Sequence, residues 1–202
     1  MHPAAAFLER DVDLLAGYLA HQPFVTLAAA ADGRPRVAHA PVVARREGAG
    51  VALDFHLSRS NGLAPFLEAG FRAVIVALGP EAYVSPDWYA SPDQVPTWNY
   101  LTIEAEGPAV AFGEDELVRL LDDLSAQEEA RLSPKPAWTR AKMSPGRFEG
   151  LVKGVIGARL TVERLEGTFK LSQNRSAADR AGVIAALGDH PIAALMGALP
   201  EA

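Results

Sequence analysis

The residues best suited to holding a charged ligand form a turn, His56-Leu57-Ser58-Arg59-Ser60-Asn61-Gly62, ahead of a short helix. A phosphate needs fixed cationic and hydroxyl donors together with free backbone N–H groups. A strand that delivers Arg59 with Ser58 and Ser60 to a helix N-terminus supplies all of these. The same residues can also be read as a helix cap, Ser60 or Asn61, beside a surface arginine. The turn is not a Walker loop, and no Gly-x-Gly-x-x-Gly fingerprint occurs in the chain.

Two further segments carry recognition chemistry. Residues 79–89 and 95–100 hold two of the three tryptophans and three of the four tyrosines. Such rings can wall a planar ligand, build a wet interface, or fill a satellite core under a long loop. The third segment, Phe169-Lys170-Leu171-Ser172-Gln173-Asn174-Arg175, crowds donors and two cations just before a helix. It suits an anion or cofactor better than a core, with a capping cluster as the plainer alternative.

Other chemistries are excluded or poorly supplied. There is no cysteine, hence no disulfide, thiolate nucleophile or iron–sulfur ligand. His39 and His56 fall on neighbouring predicted strands without an evident third metal ligand. Asp122-Asp123 and Glu128-Glu129 sit on an exposed helix, and no Gly-x-Ser-x-Gly elbow supplies a nucleophile.

Composition is that of a globular chain: 202 residues, 49% hydrophobic and 22% charged. No apolar run is long enough to cross a bilayer, and the N-terminal residues lack the pattern of a secretory signal, so a cytoplasmic location is expected. The net charge of −6 is unevenly spread. Residues 131–175 hold ten basic and three acidic side chains, a basic segment on an acidic protein. That pattern suits an anionic ligand or partner, or equally a set of ion pairs.

The elements that must position these residues follow from periodicity. Helical spacing covers 7–21, and Pro23 stops it. Strands are expected over 24–30 and 36–45, joined at Asp32-Gly33, and over 51–57. A short helix over 63–68 ends at Gly70, and a buried strand spans 71–78. A proline-punctuated loop runs over 79–96. The strand 97–106 places Thr97, Asn99, Leu101 and Ile103 on one face. Residues 113–130 form an amphipathic helix, 154–165 and 168–171 are strands, and 176–187 is a closing helix with Ser176 and Gly188 as caps. This order predicts a mainly β fold with flanking helices, an antiparallel barrel in one domain over 1–202, with 176–202 a helical appendage.

At the three segments singled out above, and in this order along the chain, the sequence resembles the PaiB-type family of FMN-binding negative transcriptional regulators. The resemblance implies an antiparallel Greek-key split β-barrel, related to the pyridoxamine-phosphate oxidase class, that holds FMN between two protomers of a homodimer. It implies that Ser58, Arg59 and Asn61 hold the phosphate with His56 nearby. It sets Ala40, Pro41, Val42 and Val43 against the isoalloxazine, and has Trp98, Asn99, Lys170, Gln173 and Arg175 complete the pocket, the last three from the other subunit. Three functions follow: an FMN-binding regulator acting on DNA or through a transcription-related partner, an FMN-dependent oxidoreductase with a nicotinamide or small-molecule electron partner, or a flavin-free interaction module. Direct DNA reading lacks support in the residues, because no helix-turn-helix is evident and the closing helix offers only Arg180 as a cation.

Overall fold

The structure, a computed structural model, describes residues 4–48 and 50–199. Eight strands form one mainly antiparallel sheet: β1 (Leu8–Glu9), β2 (Phe24–Ala31), β3 (Arg34–Glu47), β4 (Gly50–Ser58), β5 (Phe71–Val84), β6 (Thr97–Ala111), β7 (Val155–Thr161) and β8 (Arg164–Lys170). Their order is β1-β8-β6-β5-β2-β3-β4-β7, and a further pairing of β6 with β7 closes β6-β5-β2-β3-β4-β7 into a barrel. Five helices accompany them: α1 (Val12–His21), α2 (Glu114–Ala130), α3 (Arg147–Val152), α4 (Ala177–Leu187) and α5 (Pro191–Gly197). By its internal contacts the chain divides into a larger unit, 12–77 with 104–165, and a smaller one made of 1–11, 78–103 and 166–202.

In the larger unit, β2 and β3 meet through the expected Asp32-Gly33 turn, both residues with positive φ (56° and 65°), as the tightest right-twisting hairpin requires. Alternate residues then face inward. Val25, Leu27, Ala38, Ala40, Val42, Leu53, Phe55, Leu57 and Ile75 are buried in the barrel interior. The outer side is divided. Over one part lies α2, whose Leu120 and Leu124 pack with Val43 and Phe112. The other part carries no helix among the described residues: Phe24, His39, Val37 and Val74 lie there on β2, β3 and β5, Phe24 being 70% and Val37 60% exposed.

An ion cluster ties three strands of this unit. Asp54 on β4, 3% exposed, accepts from Arg159 of β7 (Nε–Oδ1 2.7 Å, Nη2–Oδ2 2.9 Å) and from Arg45 of β3 (3.0 Å). Arg45 also reaches Asp123 of α2 at 2.6 Å, clamping the helix to the barrel. In the smaller unit, α4 and α5 enclose Val84, Tyr89, Leu171, Val183, Ile192 and Met196. A Cβ at Gly182 would fall 2.2 Å from the carbonyl oxygen of Trp88, so the α4 backbone lies directly on the turn that delivers Tyr89.

Several expectations are corrected. The predicted helix over 7–21 begins only at Val12; Leu8 and Glu9 pair instead with Thr168 and Gly167 of β8. The predicted loop over 79–96 is strand as far as Val84, since sheet partners override Gly79 and Pro80. The short helix over 63–68 is a single 3-10 turn, Ala64–Phe66. Helix α3 is absent from the expected elements, and α5 falls within the helical appendage read over 176–202. The closing helix does carry the caps read for it, with Ser176 Oγ accepting from the Asp179 N–H and Gly188 at the C-terminus.

Removing the Asp54 carboxylate takes away the buried partner that two part-buried guanidinium groups share, leaving Arg45 only Asp123 and Arg159 only Glu47, both more exposed. Asp54→Ala is expected to lower the unfolding free energy by about 3 kcal/mol, measured by urea denaturation.

Candidate functional site

Strand β4 delivers the first group of candidate residues. Asp54, His56 and Ser58 alternate onto its outer side, with Pro41 and Val43 of β3 on the same side, since Val42 pairs with Phe55 and Val43 with Asp54. Ala40 and Val42 therefore point into the barrel, and Val43 lies beneath α2. Of the segment 40–43, a ligand on the outer side meets Pro41 and backbone.

Beyond β4 the chain turns sharply. The Asn61 N–H donates to the Ser58 carbonyl at 2.9 Å, Asn61 Oδ1 accepts from the Leu63 N–H at 2.9 Å, and the Ser58 and Ser60 hydroxyls bond each other at 2.8 Å. The capping role considered for Asn61 is thus real, yet it uses only the amide oxygen and leaves the NH2 group available. Arg59 is fixed through its backbone N–H to Gly154 O at 2.9 Å, while its guanidinium is exposed and makes no bond among the described residues. His56 Nδ1 is buried without a hydrogen-bond partner among the described residues. Burial pushes the His56 pKa below the ordinary 6.5, so the ring is held neutral. Phe112 lies against the Gly157 backbone, which pairs with His56, and that contact leaves no room for a Cβ at Gly157.

The second group gathers in the smaller unit. Asn99, 1% exposed, donates from Nδ2 to Ser172 Oγ (2.9 Å) and to Met196 Sδ (3.3 Å), and Ser172 Oγ is 3.2 Å from Asn99 Oδ1. Ser172 adopts a left-handed backbone, φ 61°, a conformation that costs a serine about 1 kcal/mol and tends to mark functional sites. Lys170 Nζ donates to Thr97 Oγ1 and to the Trp98 carbonyl, both at 2.5 Å. Burial and the neighbouring Arg175 charge hold the Lys170 pKa below the usual lysine range. Arg175 donates to Gln94 Oε1 at 2.6 Å and stacks over the Tyr89 ring, 5.1 Å from its centroid. These residues line a cavity of about 270 Å³.

The other two members of this group play different parts. Gln173 is spent on structure, accepting from the Leu171 N–H and donating to the Phe169 and Ala6 carbonyls. Trp98 stands half-exposed, edge-on to Tyr83 at 6.0 Å. Tyr89, Thr97, Ser172 and Asn174 were not singled out beforehand, although all four belong to the aromatic and polar segments that were. Adjacency in those segments was the available signal. Many of the basic residues over 131–175 prove to be ion-paired within the chain: Lys135 with Glu129, Arg140 with Asp122, Arg159 with Asp54 and Glu47, Arg164 with Glu104 and Glu106.

Residues 1–164 match the family described as "Putative FMN-binding domain". The chain belongs to this FMN-binding family. The PaiB-type resemblance and the expectation of FMN as cofactor are borne out together. The chain is similar to "Protease synthase and sporulation protein PAI 2" of Bacillus subtilis (strain 168), 30% identical over 186 residues that cover 91% of this chain and 88% of that protein. Among solved structures it is similar to the FAD and heme binding protein from Mycobacterium smegmatis, with TM-score 0.57 and 18% identity over 90% of this chain and 80% of the other. The flavocytochrome Anf3 from Azotobacter vinelandii gives 0.57 and 17% over 84% and 72%. Identities this low speak for the fold, which is the split barrel expected. No helix among the described residues is long and apolar enough to cross a membrane.

The buried His56 generates a pH test. The unfolded ring takes a proton near pH 6.5, whereas the folded ring resists it, so stability falls as pH drops through that value. Denaturant titrations at pH 7.5 and 5.5 are expected to show a loss of stability in the wild type that is smaller in His56→Gln.

Proposed function

We propose that this chain binds FMN as a homodimer and acts in transcriptional regulation through a protein partner. The flavin phosphate would be held by Arg59, Ser58 and the Asn61 amide NH2, with His56 and Pro41 beside the ring. The observation that carries this reading is the unspent guanidinium of Arg59 on the turn that follows the strand carrying His56, whose buried Nδ1 lacks a partner among the described residues. FMN fits such a place: a phosphate needs a cation and neutral donors, and a flat ring needs apolar surface alongside. When bound, the flavin supplies redox chemistry and the protein supplies position and electrostatics.

The homodimer is supported by the uncovered part of the outer sheet. Phe24 and Val37 are exposed on the larger unit, and Val37 and Val74 with the alanines of β2 line an open hollow edged by Arg36, Arg72 and Glu106, an apolar floor with a charged rim of the kind that marks an interface. The same side of the sheet carries Pro41 and His56, which supports a flavin contacted from both protomers.

The regulatory role is supported by the name of the Bacillus subtilis relative. Action through a partner is favoured over direct DNA reading because Arg180, the one cation of α4, is only 7% exposed and cannot reach a groove.

Arg59→Ala is expected to weaken FMN binding by about 10- to 100-fold in a flavin-fluorescence titration, as for loss of a hydrogen bond to a charged group. Unchanged affinity would remove the phosphate assignment. Val37→Asp is expected to shift sedimentation from dimer to monomer. Flavin absorbance should persist when NADH or NADPH is added; rapid bleaching would mark an oxidoreductase instead.

A further inference from the structure

Helix α2 shows two different faces. Leu117, Leu120 and Leu124 are buried, and the last two pack with Val43 of the barrel. Another stripe, Asp122, Ser125, Ala126 and Ala130, walls two hollows of about 360 and 510 Å³. The hollows share Asp122, Ser125, Trp138 and Arg140, so they form one groove. It follows α2 from Leu121 to Ala130, roughly 14 Å at 1.5 Å per residue. Residues 137–155 of the same unit supply the other wall. Met143, Phe148 and Leu151 line one hollow, and Ala126, Ala130, Ala137 and Ala141 the other. Trp138, common to both, is 40% exposed and Leu151 is 50% exposed.

Charge around the groove is one-sided. Residues 131–155 hold six basic side chains and a single acidic one, Glu149. The nearby carboxylates of α2 are already engaged: Asp122 with Arg140, Asp123 with Arg45, Glu128 with Arg131 and Glu129 with Lys135. Lys142, Arg147 and Lys153 are exposed and form no ion pair among the described residues. Each is next in sequence to a residue that lines the groove, Met143, Phe148 and Val152 respectively. An apolar floor bordered by uncommitted cations suits a partner that is apolar on one side and anionic on the other. Four alanines in one hollow let a backbone come close, and the groove is as long as about two to three helical turns.

We propose that this groove docks an acidic amphipathic helix of a partner protein, its apolar stripe on Trp138 and Met143 and its carboxylates toward Lys142, Arg147 and Lys153. The inference rests on the reading that the chain regulates through a protein partner, and it assigns the surface that partner uses. A nucleic acid would offer phosphates to the cations but no aliphatic side chains to the floor.

The test is selection of a phage-displayed library of random peptides, about four helical turns long, on the immobilised full-length protein. The most enriched sequence is then titrated as a labelled synthetic peptide by fluorescence anisotropy. Enriched peptides are expected to carry apolar residues at i, i+3 or i+4 and i+7, with Asp or Glu between them. Ala126→Glu puts bulk and a carboxylate in the groove, and Arg147→Glu reverses a charge beside it; each should weaken binding about tenfold or more. Both positions are exposed, one inside α2 and one in the first turn of α3, where glutamate is well tolerated. Both variants should therefore melt at the wild-type temperature and bind FMN as the wild type does. No enrichment, enrichment of peptides without carboxylates, or affinity that survives both variants overturns the proposal. So does loss of FMN affinity in both variants, which gives the groove to the flavin, or a changed sedimentation coefficient in both, which gives it to a second copy of this chain. Binding of a DNA duplex that both variants abolish gives it to nucleic acid and overturns the proposal as well. A duplex bound equally by wild type and both variants sinks the reading of regulation through a protein partner, whereas failure of the peptide without DNA binding sinks the groove alone.

Discussion

Strand β4 is hydrogen-bonded along both edges, to β3 and to β7, and the turn at 58–61 inherits its position from that double pairing. A strand held on two sides cannot slip by one residue without turning every side chain to the opposite face. Asp54 adds a charged lock to the ladder, because its two oxygens are shared between Arg159 and Arg45, one on each neighbouring strand. Everything assigned to the outer side of this strand depends on that register, the ring of His56 and the hydroxyl of Ser58, and the turn that carries Arg59 follows directly from it. A ligand site on such a turn gains from the fixed backbone, since the main chain loses little freedom when a ligand arrives.

The two groups of polar residues contrast in how their charges are handled. In the larger unit, Arg159 is neutralised within the chain by Asp54 and Glu47 and Arg164 by Glu104 and Glu106, whereas the Arg59 guanidinium makes no such pair among the described residues. In the smaller unit, Lys170 and Arg175 are anchored, among the described residues, by neutral acceptors. Charge pairing stabilises a fold, whereas charge held unpaired in a cavity stabilises a complex with something else. The strain at Ser172 belongs with the second case, because a left-handed serine persists only where surrounding contacts over-determine it.

Membership of the FMN-binding family and the split-barrel neighbours agree with a surface that has one open apolar sheet face and one polar turn. Neither contact pattern requires a catalytic acid or base. The chemistry of a flavin resides in the cofactor, so a protein can serve it by position alone and still take part in regulation.

The sequence by itself determined much of this. The Asp32-Gly33 hairpin, the alternation through 97–103, the amphipathic α2, the Ser176 and Gly188 caps and the phosphate-like turn were all legible, because each is set by local chemistry or short-range period. Pro191 at the start of α5, followed by Ile192 and Met196 one turn apart, is a local signal of the same kind within the helical appendage 176–202. Other features had no local signal. Whether Leu8 and Glu9 are helix or strand is decided by β8, some 160 residues away in the chain, and residues 79–84 become strand only through their neighbours in the sheet. Nor could residue types reveal that Gln173 is consumed by backbone carbonyls, that Arg180 is buried, or that Lys170 and Arg175 line one cavity whose lining holds no carboxylate. Local pattern fixes what a segment can be; which polar groups are already satisfied is fixed only when distant segments meet, and that remainder is what a ligand can bind.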